Sequence, residues 1–278
     1  MASPYWIKYL INKTFSGRFT LSKLTRYPVI GRVVDYLLFD NDDIFYLPRD
    51  KVISINAPID APESLMAPSD VVNHFIVQAG ACSIMEFSIS RDSAGCRDSA
   101  GCRDYPVDLG CIFLGRAAQD INPRFGRLVT ADEAMDHARR CREAGLVHLI
   151  GRSKLDTVWL NVGPQGRLLT ICNCCPCCCL WKVLPVISPE IGGKVSRMPG
   201  VSVRMTDACV GCGTCATDVC FVGAIRIADK QAAIDADICR GCGRCAEVCP
   251  TGAIAVDIDR DDYIDATIRR ISDAVDVT

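Results

Sequence analysis

Long apolar runs are missing from this 278-residue chain. The best candidate, residues 171–187, is interrupted by Lys182 and rich in cysteine, so no stretch of about 18 apolar residues is available to cross a bilayer. An excess of charge of one sign is missing too. With 31 Lys and Arg against 33 Asp and Glu, the formal net charge is −2, which gives no general argument for nucleic acid. Histidine is limited to 3 residues. Neither a nucleotide-binding glycine fingerprint nor a Ser/His/Asp arrangement can be placed, so any reaction would have to rest on a metal or a thiol. The first residues do not read as a secretion signal. The excess lies in cysteine, with 19 residues. In a short secreted chain that number would mean a disulfide scaffold. At this length and without a signal, the expectation is a reduced, cytoplasmic, anaerobic setting in which exposed thiolates survive.

Eight of the cysteines fall in two runs: Cys209, Cys212, Cys215 and Cys220, then Cys239, Cys242, Cys245 and Cys249 followed by Pro250. The second run reads C-x2-C-x2-C-x3-C-P, the spacing for a cubane iron–sulfur cluster. Three thiolates two residues apart can wrap one cluster because intervening glycines, Gly211 and Gly241 among them, let the backbone turn tightly. The stretch is an internal repeat, with Cys209-Val-Gly-Cys-Gly-Thr-Cys-Ala matching Cys239-Arg-Gly-Cys-Gly-Arg-Cys-Ala. The first copy carries one extra residue before Cys220 and has Phe221 where the second has proline. A zinc ribbon or disulfides would need two pairs, not eight regularly spaced cysteines.

Roughly residues 203–258, about a fifth of the chain, resemble the bacterial 2[4Fe-4S] ferredoxins. The resemblance implies that the fourth thiolate of each run crosses to the other cluster. One cluster is then expected on Cys209, Cys212, Cys215 and Cys249, and the other on Cys239, Cys242, Cys245 and Cys220.

Upstream, residues 1–34 hold six basic residues and no acidic one. Ser3 is expected to cap a short helix with Pro4 at its first position. Trp6, Tyr9, Leu10 and Lys13 on that helix suit either peripheral membrane contact or an arm packed on the domain or a partner subunit. Ile44–Pro48 reads as extended, and residues 51–70, with Pro58, Pro62 and Pro68, as a loop-rich connection. Asp70 is expected to cap a helix that includes His74, read as a structural histidine. Residues 91–96 and 97–102 are the same hexapeptide twice, leaving Cys96 and Cys102 as equivalents. Thr130 and Glu133 form a capping-box pattern for a helix reaching Ala144, with Gly145 as its stop and Cys141 in its core face. Leu146–Ile150 and Thr157–Val162 read as strands around a turn, and residues 167–171 as a further strand. Beyond Ile258, isoleucines 264, 268 and 271 and Val275 outline one face of an amphipathic helix packed on the body.

Six more cysteines, Cys172, Cys174, Cys175, Cys177, Cys178 and Cys179, crowd the segment around Pro176. No regular element aims six thiols at one point, but an irregular loop can present three or four, and soft thiolates select iron–sulfur, zinc or copper(I). A third iron–sulfur or metal centre is therefore expected on loop 172–179. Residues from about 85 to 180 also resemble a poorly characterised group of anaerobe 4Fe-4S dicluster-domain proteins with a CNCCxCCC loop. The matching residues are Gly126–Thr130, Ala144–His148 and Cys172–Cys179. Where that group has C-x-C-R, this chain has Ser88-Ile89-Ser90-Arg91, so no cluster is expected on Ser88 and Ser90. His148 is either a ligand or proton donor near the loop or a packed strand histidine.

The expected fold class is α+β, with a mixed upstream α/β domain followed by a pseudo-twofold 2[4Fe-4S] ferredoxin-type domain. The divisions expected are a basic N-terminal arm (1–50), a mixed domain with the cysteine-rich loop (51–199), the ferredoxin-type domain (200–258) and the C-terminal helix (259–278). The function expected is an iron–sulfur electron-transfer protein or subunit with two [4Fe-4S] clusters and redox partner proteins. The alternative is an anaerobic oxidoreductase with a metal- or thiol-based active site at loop 172–179, fed by the ferredoxin-type domain.

Overall fold

Three short helices open the chain: α1 (Trp6–Thr14), α2 (Arg18–Leu24) and α3 (Pro28–Leu38). The computed structural model describes residues 3–55, 67–93 and 102–278. Pro58, Pro62 and Cys96, together with most of the duplicated hexapeptide, lie outside the described residues. Ser3 is not a helix cap. Its hydroxyl donates to the Trp159 carbonyl at 2.6 Å and its amide to that of Leu160 at 3.0 Å, so the chain is tethered before α1 begins. Tyr5 stacks on Phe125 with centroids 5.5 Å apart, and Lys8 pairs with Asp92 at 3.0 Å. The outer faces of these helices stay apolar and exposed: Trp6, Tyr9, Tyr27, Val29 and Tyr36 are each more than 60 % exposed.

The strands β1 (Asp43–Tyr46) and β2 (Ile53–Ile55) follow, then α4 (Pro68–Gln78), β3 (Cys82–Met85), α5 (Ile89–Ser93), β4 (Ile112–Leu114) and β5 (Gly126–Val129). In α4 proline takes the first position, where its missing N–H costs nothing. Asp70 is therefore not the N-cap; its carboxylate reaches back to the Ala67 amide at 2.7 Å. Next come α6 (Ala131–Glu143), β6 (Val147–Arg152), α7 (Lys154–Leu160), β7 (Leu169–Cys174), α8 (Pro189–Gly192) and β8 (Val195–Arg197). Thr130 and Glu133 close the expected capping box, the Thr130 hydroxyl accepting at 3.3 Å and the Glu133 carboxylate at 2.9 Å. Thr157 belongs to α7 and not to a strand, because Ser153 caps that segment by accepting from the Asp156 amide.

Seven strands form one sheet in the order β5-β3-β4-β7-β6-β1-β8, antiparallel except for β1 beside β8. Strand pleating sends Leu169 and Ile171 to one face, into a core with α4, α6 and the C-terminal helix, and Cys172 and Cys174 to the other.

The C-terminal part contributes β9 (Val201–Met205), the hairpin β10 (Ile225–Ala228) and β11 (Gln231–Ile234), α9 (Arg244–Glu247), β12 (Ile254–Ile258) and α10 (Tyr263–Ala274). The fold is α+β. β12 pairs antiparallel with β9 and parallel with β2, so a strand from early in the chain completes the C-terminal ribbon. Ile264, Ile271 and Val275 bury the apolar face of α10 in the shared core, as its periodicity predicts. No described helix is long and apolar enough to cross a membrane.

Candidate metal centres

The two cysteine runs hang between the β9–β12 ribbon and the β10–β11 hairpin. Cys209, Cys212, Cys215 and Cys249 line one cleft, and Cys220, Cys239, Cys242 and Cys245 line a second. Each cleft takes three cysteines from one run and one from the other. Backbone amides point at the sulfurs: Ala232 at Cys209, Ala224 at Cys220 and Ala253 at Cys249, each at 3.3 Å, and Gly241 at Cys239 at 3.4 Å. Such donors favour anionic sulfur and tune a cluster. Gly211 and Gly243 both have positive φ; a Cβ on Gly211 would meet the Lys230 carbonyl at 2.2 Å and one on Gly243 the Val52 side chain at 2.5 Å. Only glycine fits these two turns.

Residues 208–253 match the family model of the 4Fe-4S dicluster domain. No curated protein and no solved structure gave a match to the chain. A dicluster segment of this kind carries iron–sulfur electron transfer and implies redox partners. The residues present fit iron–sulfur groups in their soft thiolate donors, amide-rich turns and glycines that a side chain would block.

The dicluster segment departs from its own repeat in two ways, and the structure accounts for both. The extra residue of the first run is absorbed where Asp218 takes a left-handed conformation, φ 55°. Phe221 stands where the second run has exposed Pro250 because Phe221 is buried at the junction with the large sheet, its ring 5.7 Å from that of Tyr46. Tyr46 itself lines the cleft of Cys220, Cys239, Cys242 and Cys245. Its hydroxyl is buried and has no hydrogen-bond partner among the described residues. Burial, and then the neighbouring Cys179, Cys174 and Cys242, push the phenol well above its ordinary range. Burial likewise pushes Cys242 up to about 12. On the opposite side Arg49 donates its amide to the Cys242 carbonyl at 3.2 Å and pairs with Glu247 at 2.9 Å, clamping α9 to the body.

Loop 172–179 does not gather its six cysteines at one point. Cys172, Cys174 and Cys179 join Cys111 along the wall of a largely apolar cavity of about 330 Å³, with Ser88, Ser90, Asp156 and Trp181. Cys174 and Cys179 Sγ are 3.1 Å apart, and Ser88 and Ser90 Oγ 3.4 Å. Cys111 is pushed well up by donating to Cys172 and by burial. Cys175, Cys177 and Cys178 turn away from this wall and meet Cys102 instead. Cys82 packs in the core shared with α4 and α6, whereas Cys141 packs in the same buried cluster as Cys175 and Cys178, its thiol pushed up to about 12 by burial.

His148 points to neither thiol group. It is buried and pairs through Nδ1 with Asn173 Oδ1 at 2.7 Å. The amide oxygen can only accept, so Nδ1 carries the proton and Nε2 is left without a partner. Burial, and then the nearby Arg142, press its pKa down to about 3. Arg91, read from the sequence only as the end of a degenerate motif, is fully buried, donates to the Asn173 carbonyl at 2.7 Å and to the Leu109 carbonyl, and lies near Cys175, Cys141 and Cys111. A lone arginine on the short helix α5 carries no sequence signal for that role.

Proposed function

We propose that this is an iron–sulfur electron-transfer protein, or the electron-transfer subunit of an oxidoreductase, that holds two [4Fe-4S] clusters in a ferredoxin-type domain spanning residues 200–258. The observation that carries the reading is the division of eight cysteines between two clefts, Cys209, Cys212, Cys215 and Cys249 in one and Cys220, Cys239, Cys242 and Cys245 in the other. The crossing of Cys249 and Cys220, and the two antiparallel ribbons flanking the runs, support a pseudo-twofold arrangement. Held between rigid ribbons, each centre can gain or lose single electrons with little movement. The exposed apolar and basic face of α1 to α3 supports docking of a redox partner protein there. A reduced, cytoplasmic and anaerobic setting suits so many free thiols.

A second reading is favoured by one observation. The cavity walled by Cys111, Cys172, Cys174 and Cys179 lies beside Tyr46, which also borders the cleft of Cys242. An oxidoreductase with a thiol-based active site in that cavity would receive electrons across a single buried ring.

The test of the first reading is iron and acid-labile sulfide on anaerobically purified protein, with EPR of the reduced form, for the wild type and for Cys249→Ser and Cys220→Ser. The expected result is two cubanes, about eight irons, with the two variants perturbing different clusters. A single cluster, or the same cluster altered in both variants, would overturn the crossed assignment.

A further inference from the structure

The four sulfurs of Cys102, Cys175, Cys177 and Cys178 all lie within 4.8 Å of one another. Cys102 and Cys177 Sγ are 3.4 Å apart, and Cys177 and Cys178 Sγ 3.6 Å. A tetrahedral ion with metal–sulfur bonds of about 2.3 Å sets its thiolates about 3.8 Å apart. A cubane interposes four irons and four sulfides and holds its thiolates about 6 Å apart. The dicluster cysteines form no comparably tight group among the described residues. Among the described residues, the Cys102 group is the set of three or more thiols drawn close enough for a single ion.

We infer that Cys102, Cys175, Cys177 and Cys178 hold a single tetrahedral divalent ion of thiophilic character, zinc or iron, and not a third cubane. The local chain supports this. Cys175-Pro176-Cys177-Cys178 is a C-x2-C turn in which the Cys178 amide donates to the Cys175 sulfur at 3.4 Å, an arrangement that aims both sulfurs inward. Cys175 and Cys178 are each 1 % exposed, while Cys102 and Cys177 are half-buried and close the site from outside. With all four positions filled by protein, no place remains for substrate, so the site is structural. Four thiolates around a divalent ion leave a net charge of −2, and the fully buried Arg91 guanidinium beside Cys175 and the half-buried Arg18 beside Cys178 supply opposite charge. Arg91 Nε has no hydrogen-bond partner among the described residues.

The site's position gives it a task. It pins Cys102 to the loop after β7, and Tyr105 three residues on receives a hydrogen bond from Arg244. Arg244 adjoins Cys245, one of the cysteines of the second cleft, and also donates to the Gly145 carbonyl at 2.7 Å. Binding the ion displaces thiol protons and couples the order of this loop to the surroundings of the second cleft.

Metal content of the anaerobically purified full chain, measured by mass spectrometry together with metal K-edge X-ray absorption, tests the inference. The expected result is one zinc beyond the cluster iron, with four sulfurs at about 2.3 Å, and loss of that ion alone in Cys102→Ser and Cys177→Ser. A mononuclear iron with four sulfurs also upholds the one-ion geometry and identifies the occupant as iron. Four additional irons with labile sulfide, lost in Cys102→Ser, would overturn it in favour of a cubane. No further metal in the purified chain, together with no tetrahedral thiolate spectrum on adding Co²⁺, would overturn it outright. The wild-type absorption data keep the test decisive even if a variant fails to fold.

Discussion

Replacing Tyr46 by Phe removes one oxygen atom and leaves the ring, its burial and its contact with Phe221 in place. The hydroxyl sits at the cleft of Cys220, Cys239, Cys242 and Cys245 with no partner among the described residues. A buried hydroxyl left unpaired costs about 1–3 kcal/mol, whereas one that donates to a charged acceptor contributes about 1.5–3 kcal/mol. A cluster held in this cleft would offer sulfur acceptors to the hydroxyl, and its reduction would make them more negative and strengthen such a bond. If about a third of that bond energy differs between oxidation states, the change is about 0.5–1 kcal/mol, or about 20–45 mV for a one-electron couple. Tyr46→Phe should therefore lower the potential of the second-cleft cluster by that amount and leave the other cluster unmoved. An EPR-monitored redox titration resolves the two. Unchanged potentials in a protein stabilised by about 1–3 kcal/mol would show the hydroxyl to be an orphan that faces no sulfur.

Asp42 predicts a pH effect. Burial pushes its carboxyl up to about 7, above the ordinary 3.8, so the folded state holds the proton more tightly and stability falls as pH rises from about 4 to 7. The fall amounts to about 4 kcal/mol at most, and Asp42→Asn should abolish it in anaerobic thermal melts. His148 runs the other way: its pKa is pressed below the usual 6.5, so its contribution is present above that pH and lost as pH falls toward 3. The Asn variant should thus show stability rising with pH up to about 6.5; a wild-type slope in the variant would refute the assignment. Phe221→Ala opens a cavity at the junction of the dicluster segment and the large sheet and should cost about 3–5 kcal/mol. In that variant, the cluster on the cleft of Cys220 should be lost first on warming, followed by its visible absorption; equal loss of both clusters would contradict the wedge role.

The elements set by short-range chemistry were legible in the sequence. Regular cysteine spacing located the two runs, the Thr130–Glu133 box located α6, and isoleucine periodicity located α10. Thr157–Val162 read as a strand because Thr and Val favour extended chain, but the Ser153 cap decides the local structure. The crowded loop was legible as a thiol-rich place and illegible as two. Pleating of β7 turns Cys172 and Cys174 to the cavity, and the partner that gathers the remaining three is Cys102, whose sulfur meets that of Cys177 across 75 residues of sequence. Distances of that kind leave no periodic trace. Phe221 looked like a defect in a repeat because its reason lies on another element, Tyr46.

The parallel pairing of β2 with β12 has a consequence for how the chain is made. Ile53–Ile55 emerges during synthesis about 200 residues before its partner Ile254–Ile258. At 5–20 residues per second it waits about 10–40 s with an edge to satisfy. The cysteine clefts lie between these two moments, so the ribbon that frames them cannot close until Ile254–Ile258 is available. The frame around both clefts is thus complete only once β12 has been made.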